Sequence, residues 1–65
     1  MKVKYFPDTD TLHIELSDRS VVETRDINED VMIDIDDAGR VVGLTIEHAT
    51  LGSTKLDFSY ETISA

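Results

Sequence analysis

The chain has 65 residues, with 14 acidic and 6 basic side chains and a formal net charge of −8. It has no cysteine and no tryptophan, which excludes a disulfide scaffold, a thiolate nucleophile and a cysteine-ligated zinc. No apolar run approaches the ~20 residues of a membrane-spanning helix. Met1-Lys2-Val3-Lys4 leads into an alternating segment rather than an apolar leader, so a cytoplasmic location is expected.

Period-two alternation dominates the pattern and predicts strands. Lys2-Val3-Lys4-Tyr5-Phe6 opens the chain, and Pro7-Asp8-Thr9-Asp10 is turn material. In 11–16, Leu12, Ile14 and Leu16 alternate with Thr11, His13 and Glu15. Ser17-Asp18-Arg19-Ser20 reads as a turn, and 21–27 as a polar strand suited to a sheet edge. After Asn28-Glu29-Asp30, residues 31–36 alternate Val31, Ile33 and Ile35 with Met32, Asp34 and Asp36. Asp36-Asp37-Ala38-Gly39 is the strongest turn signal: Asp36 opens a type I turn and Gly39 takes a left-handed conformation. It leads to the strand 41–48, where Gly43 marks a bulge or a close backbone approach.

Five strands joined by short links predict a mainly β chain, a single small domain over 1–65 built as an antiparallel β-meander. A short turn or helix follows near 48–52. The tail 55–63 is expected to be an extended segment, read as a strand because Phe58, Tyr60, Thr62 and Ile63 favour sheets. A helix over 56–63 would instead gather Leu56, Tyr60 and Ile63.

Residue patterns with chemical meaning are sparse. Asp34, Asp36, Asp37 and Gly39 resemble the start of a calcium loop, but Ala38 and Thr45 fall where ligands are required. If the hairpin folds about Asp37-Ala38, Asp34 lies beside Val41 or Val42 and Glu47 near Asn28 or Glu29, so the two acids form no evident catalytic pair. His13 and His48 fit no zinc spacing, and each has a carboxylate nearby in Glu15 or Glu47. There is no G-x-S-x-G serine and no glycine-rich phosphate loop. No catalytic, cofactor-binding or metal-binding residue is therefore expected, and no cofactor.

The six basic residues are scattered and outnumbered, which argues against direct nucleic-acid binding and against an anionic membrane surface. A basic protein partner suits the charge. Residues 2–48 make one sheet whose apolar face has only 49–65 as cover, so a homodimer is expected, its copies stacking their apolar faces or each C-terminal segment crossing onto its neighbour, unless that segment caps its own sheet. The function expected is that of a noncatalytic protein-interaction domain. The alternative is a small metal-dependent or enzymatic module with its site at a subunit interface, where His13 or His48 would meet a carboxylate.

Residues 4–14, and then 34–49 from Asp34-Ile35-Asp36-Asp37-Ala38-Gly39 through Gly43-Leu44-Thr45-Ile46-Glu47 to Ala49, resemble a family of very small bacterial and archaeal proteins known only as a domain of unknown function. The resemblance spans roughly 2–50. It implies a small β-rich protein with no established activity. It also implies kinship with the smaller partners of two-gene modules, some of them antitoxin-like. Asp10, Asp34, Asp36, Gly39, Gly43 and Glu47 match its pattern, and the roles implied for them are structural: turn makers, a bulge and a polar strand face.

Overall fold

The computed structural model describes residues 1–50 and 56–64. Five strands follow one another: β1 (Lys2–Phe6), β2 (Thr11–Glu15), β3 (Glu23–Asp26), β4 (Val31–Ile35) and β5 (Val41–Glu47). All pairings are antiparallel. The sheet is the five-stranded antiparallel one expected, meander-like in order, with no helix among the described residues.

The spatial order is β1-β2-β5-β4-β3. Thus β1–β2 and β3–β4–β5 are each simple meanders, and they join where β5 pairs with β2. Residues 17–20 therefore do not join neighbouring strands, as the sequence reading had it. Instead the segment between β2 and β3 crosses the sheet end beside the β4–β5 hairpin tip. The amides of Leu16 and Ser17 donate to the Val42 carbonyl at 2.8 and 3.3 Å, and the Val22 amide donates to Ile35 at 2.9 Å. The ordering has a physical reason. The middle position buries a strand on both edges, and β5, with Val42, Leu44 and Ile46, has the apolar side chains to use it. The Glu23-Thr24-Arg25-Asp26 strand is short, charged and fully exposed, suited to an unpaired edge.

The turns follow from their residues. Asn28 Oδ1 accepts the amides of Asp30 and Val31 at 2.8 and 2.9 Å, closing the β3–β4 link. At the β4–β5 tip, the Gly39 amide donates to the Asp36 carbonyl at 3.1 Å, and Gly39 has φ +80°. The hairpin register differs from the sequence reading by one residue: Asp34 pairs with Gly43, and the register shifts between Asp34 and Ile35, which pairs with Val41. The extra residue is Val42, the most buried side chain of the sheet. Gly43 lies in a close approach, since a Cβ there would sit 3.1 Å from Asp34 Oδ2 and 3.3 Å from the Ile14 carbonyl oxygen.

The tail departs from expectation. Residues 56–64 form neither strand nor helix, and 57–64 are exposed. Phe, Tyr and Ile favour a sheet only when a neighbouring strand supplies hydrogen bonds and packing, and here the tail has no ladder partner. The expected turn or helix at 48–52 falls in part on residues outside those described; His48–Thr50 form a bend and turn.

Variants at two glycines test this geometry. Gly39→Val should destabilise the protein by about 1–3 kcal/mol, entirely through backbone strain, because no atom lies within 4 Å of the added Cβ. Gly39→Asn, which tolerates positive φ, should cost much less. Gly43→Ala would bring a Cβ 3.1 Å from Asp34 Oδ2 and 3.3 Å from the Ile14 carbonyl oxygen, so its effect on stability reports whether Asp34 and β2 can yield by a few tenths of an ångström. Urea unfolding at fixed protein concentration measures all three; a Gly39→Val protein as stable as the parent would refute the strain argument.

Candidate functional site

Cross-strand partners share a face of the sheet, so the registers sort the side chains. One face carries Val3 and Tyr5, Leu12 and Ile14, Leu44 and Ile46, then Val31, Ile33 and Ile35, and at the β3 edge Glu23 and Arg25. The other carries Lys2, Lys4, Thr11, His13, Glu15, Thr24, Asp26, Asp34, Thr45 and Glu47, with the apolar Phe6 and Met32 among them and Gly43 near its middle. The two faces differ sharply in polarity. Glu23 and Arg25, the two charged strand residues of the first face, pair with each other at 2.6 Å, and that pairing holds Glu23 below its ordinary pKa.

Three carboxylates hold the sheet ends. Asp36 is 3% exposed. Its Oδ1 accepts the amides of Ala38 and Arg40 at 3.0 and 2.8 Å, and its Oδ2 meets Arg40 Nε at 3.2 Å and Arg19 Nε at 3.3 Å. The Arg40 amide is the main cause that lowers its pKa, with Ala38 and the two guanidinium charges adding, against the opposing effect of desolvation. The tip is therefore not simply solvated: its first aspartate is buried and spent on the hairpin and the crossing segment.

Asp10 performs the corresponding task at the other sheet end. It has φ +54°, accepts the Tyr5 hydroxyl at 2.7 Å, and accepts the Thr50 hydroxyl and amide at 3.0 and 3.2 Å. The Ala49 amide donates to its carbonyl at 3.0 Å. The Tyr5 bond is the largest cause of its lowered pKa, followed among the lowering causes by Thr50 and the His48 charge. The first hairpin is thereby tied to the turn that follows β5. Asp30 completes the set: its Oδ1 lies 2.9 Å from His48 Nδ1, and its carbonyl accepts the Glu47 amide at 2.7 Å. The Asp30 bond raises the His48 pKa, and His48 itself has φ +55°.

The remaining sequence candidates lie apart. Asp34 accepts the Thr24 hydroxyl at 2.8 Å on the polar face. Glu47 is exposed opposite Thr11, four residues along β5 from the partner of Asp34, or about 13 Å of strand. These two acids are not brought together. His13 Nδ1 lies 2.9 Å from Thr45 Oγ1, its partner across the β2–β5 register. His48 meets Asp30, which the sequence reading did not single out, rather than Glu47. Among the described residues no three His, Asp or Glu side chains converge in metal-ligating geometry. Shallow grooves of about 310 Å³ beside Met1, Lys2 and Leu16 and about 190 Å³ beside His13, Glu15, Arg19 and Asp34 lie at or below the roughly 300 Å³ at which small-molecule sites begin.

The roles of Tyr5, Arg19, Asp30 and Thr50 had no signal in sequence. Tyr5 reaches Asp10 within the first hairpin, Asp30 meets His48 through the pairing of β4 with β5, Thr50 meets Asp10 through that of β2 with β5, and Arg19 reaches Asp36 from the crossing segment. The strand pattern, the three hairpins and the Asp36–Gly39 tip lie within residues 2–49, which match the family model described as a protein of unknown function (DUF2283).

The chain belongs to the DUF2283 family.

No curated protein and no solved structure gives a significant match. The part matched to DUF2283 holds all five strands and stops at Ala49, just past β5. Asp10, Asp34, Asp36, Gly39, Gly43 and Glu47 all lie inside it.

The carboxylates fix the pH dependence. The pKa values of Asp36 and Asp10 fall on folding, so their stabilising contribution is complete above the ordinary aspartate value of about 3.9 and is lost as pH falls through the lower folded values. His48 has the opposite sign: its contribution is complete below its ordinary value of about 6.5 and is lost as pH rises through the higher folded value. Thermal unfolding across pH should show both declines. Asp36→Asn should lower stability at neutral pH and flatten the acid limb. His48→Asn, which retains tolerance of positive φ, should remove the decline on the alkaline side. An unchanged acid limb in Asp36→Asn would refute the role given to that carboxylate.

Proposed function

We propose that this DUF2283 protein is a noncatalytic interaction domain of the cytoplasm that works by burying the apolar face of its sheet against another protein surface. The observation that carries this reading is the one-layer architecture. Among the described residues only Leu12, Ile35 and Val42 are buried apolar side chains, while Ile14, Val31, Ile33, Leu44 and Ile46 are half-buried and Val3 and Tyr5 exposed. An amphipathic sheet is stable when a second layer covers its apolar side, and large contiguous apolar patches on small proteins mark interaction surfaces. The polar side chains support the same reading. Asp10, Asp30 and Asp36 are engaged in holding turns and strand ends, which is a scaffold's use of carboxylates.

A photoreactive phenylalanine analogue placed at Val3, on the apolar face of the edge strand β1, should form a protein adduct in living cells. The same group at Lys4, one residue on and facing the opposite side, should form little. Equal yields from the two positions, or none from Val3, would sink the proposal.

A further inference from the structure

Resting on the interaction reading, we propose that the surface covering the apolar face is a second copy of this chain, stacked face to face about a twofold axis with β5 against β5.

The order β1-β2-β5-β4-β3 puts β5 in the middle of the sheet. Closed two-copy assemblies are isologous, so one patch meets itself. A twofold axis lying between two stacked sheets and passing under the centre of the face brings the middle strands together, whether it runs along the strands or across them. Leu44 and Ile46 then lie at the centre, Ile14 and Ile33 flank them, and Val3 and Tyr5 lie at the rim. Sheets packed in this way sit about 10 Å apart with their inner side chains interdigitated.

Charge decides between partners. The net charge of −8 attracts basic surfaces, but the strand charges are gathered on the opposite face, on Lys2, Lys4, Glu15, Asp26, Asp34 and Glu47. On the apolar face the two strand charges are Glu23 and Arg25, already paired and at one edge. A basic partner is therefore drawn elsewhere, and this face is matched by a surface that is equally apolar and neutral. A second copy supplies one of identical size without bringing like charges into the centre.

Area and tail point the same way. Five strands about 4.8 Å apart and about five residues long make roughly 400 Å² of plane per copy, or about 800 Å² for two. Side-chain relief raises the accessible surface above that plane, toward the roughly 1,200 Å² at which stable interfaces begin. Phe58, Tyr60 and Ile63 are 48%, 77% and 81% exposed, so these tail side chains do not cap the face within one chain and remain as apolar area to add at an interface.

Sedimentation velocity of the full-length protein from about 1 to 100 μM in moderate salt tests the proposal, since association by mass action depends on concentration. The expected species has twice the 7.3 kDa chain mass. Val3→Glu should weaken the dimer about tenfold or more by placing a charge in the apolar contact, whereas Lys4→Glu, on the other face of the same strand, should leave it within about twofold. Leu44→Glu should give a monomer. Far-UV circular dichroism shows whether that variant folds, and if it does not, the Val3 and Lys4 pair decides alone.

A parent protein that remains monomeric throughout overturns the proposal. So does a Lys4→Glu variant that dissociates as readily as Val3→Glu. The photo-adduct from Val3 separates this failure from failure of the broader reading. An adduct of twice the chain mass supports the second copy. An adduct to a different protein, from a chain monomeric in solution, overturns the second copy and leaves the interaction domain standing. No adduct overturns both.

Discussion

A single buried carboxylate, Asp36, sets the end of the sheet on which the topology depends. It accepts three hydrogen bonds from its own hairpin tip, from the amides of Ala38 and Arg40 and from Arg40 Nε, and it forms an ion pair with Arg19. Burying a carboxylate costs far more than a surface ion pair returns unless its oxygens are fully satisfied. That condition is met within the hairpin tip, by the Ala38 and Arg40 amides on one oxygen and Arg40 Nε on the other, and the Arg19 charge adds an ion pair from the stretch between β2 and β3. The same group therefore shapes the tip of one hairpin and fastens the one connection that is not a hairpin. A tight turn at 17–20 would have made β2 and β3 neighbours. With the segment held across the sheet end instead, β5 takes the place beside β2.

The insertion of β5 determines the distribution of polarity. Its two edges are paired with β2 and β4, so the central three strands combine their apolar residues into one continuous patch. The lysines of β1 fall on the polar face, and the acid–base pair of β3 neutralises itself at the opposite edge. Gly43 permits the close fit of β2, β4 and β5 at the bulge, where any side chain would press on the Ile14 carbonyl. The result is a single sheet with one apolar and one more polar face. Its ends are closed by Asp36 on one side and by Asp10 and Asp30 on the other. Membership of DUF2283 assigns no chemistry to that sheet.

Much of the fold was legible from local pattern. Period-two alternation located all five strands with ends displaced by at most a residue or two, although the polar third strand is shorter than 21–27. The hairpin residues Asp36 and Gly39 carried recognisable turn chemistry, because a type I turn closed by a left-handed glycine is a local structure. The register was off by one beyond the bulge at Val42, which the sequence signalled only through the neighbouring Gly43 and not through its alternation. The tail was misjudged because propensity for a sheet has no effect without a strand to pair with.

What the sequence by itself determined is the set of elements: strands, tight turns, one apolar and one polar side to each central strand, and a charged third strand fit only for an edge. These follow from interactions between residues a few positions apart and from the two-residue period of extended backbone. Only the tertiary structure decided that β2 pairs with β5, that Asp36 reaches Arg19, that Asp10 holds Thr50 forty positions away, and that His48 meets Asp30. Each of these contacts joins segments far apart in the chain. Several arrangements satisfy the same local preferences, and the one adopted is that which pairs the most apolar strand on both edges and leaves no buried side-chain polar atom without a partner among the described residues.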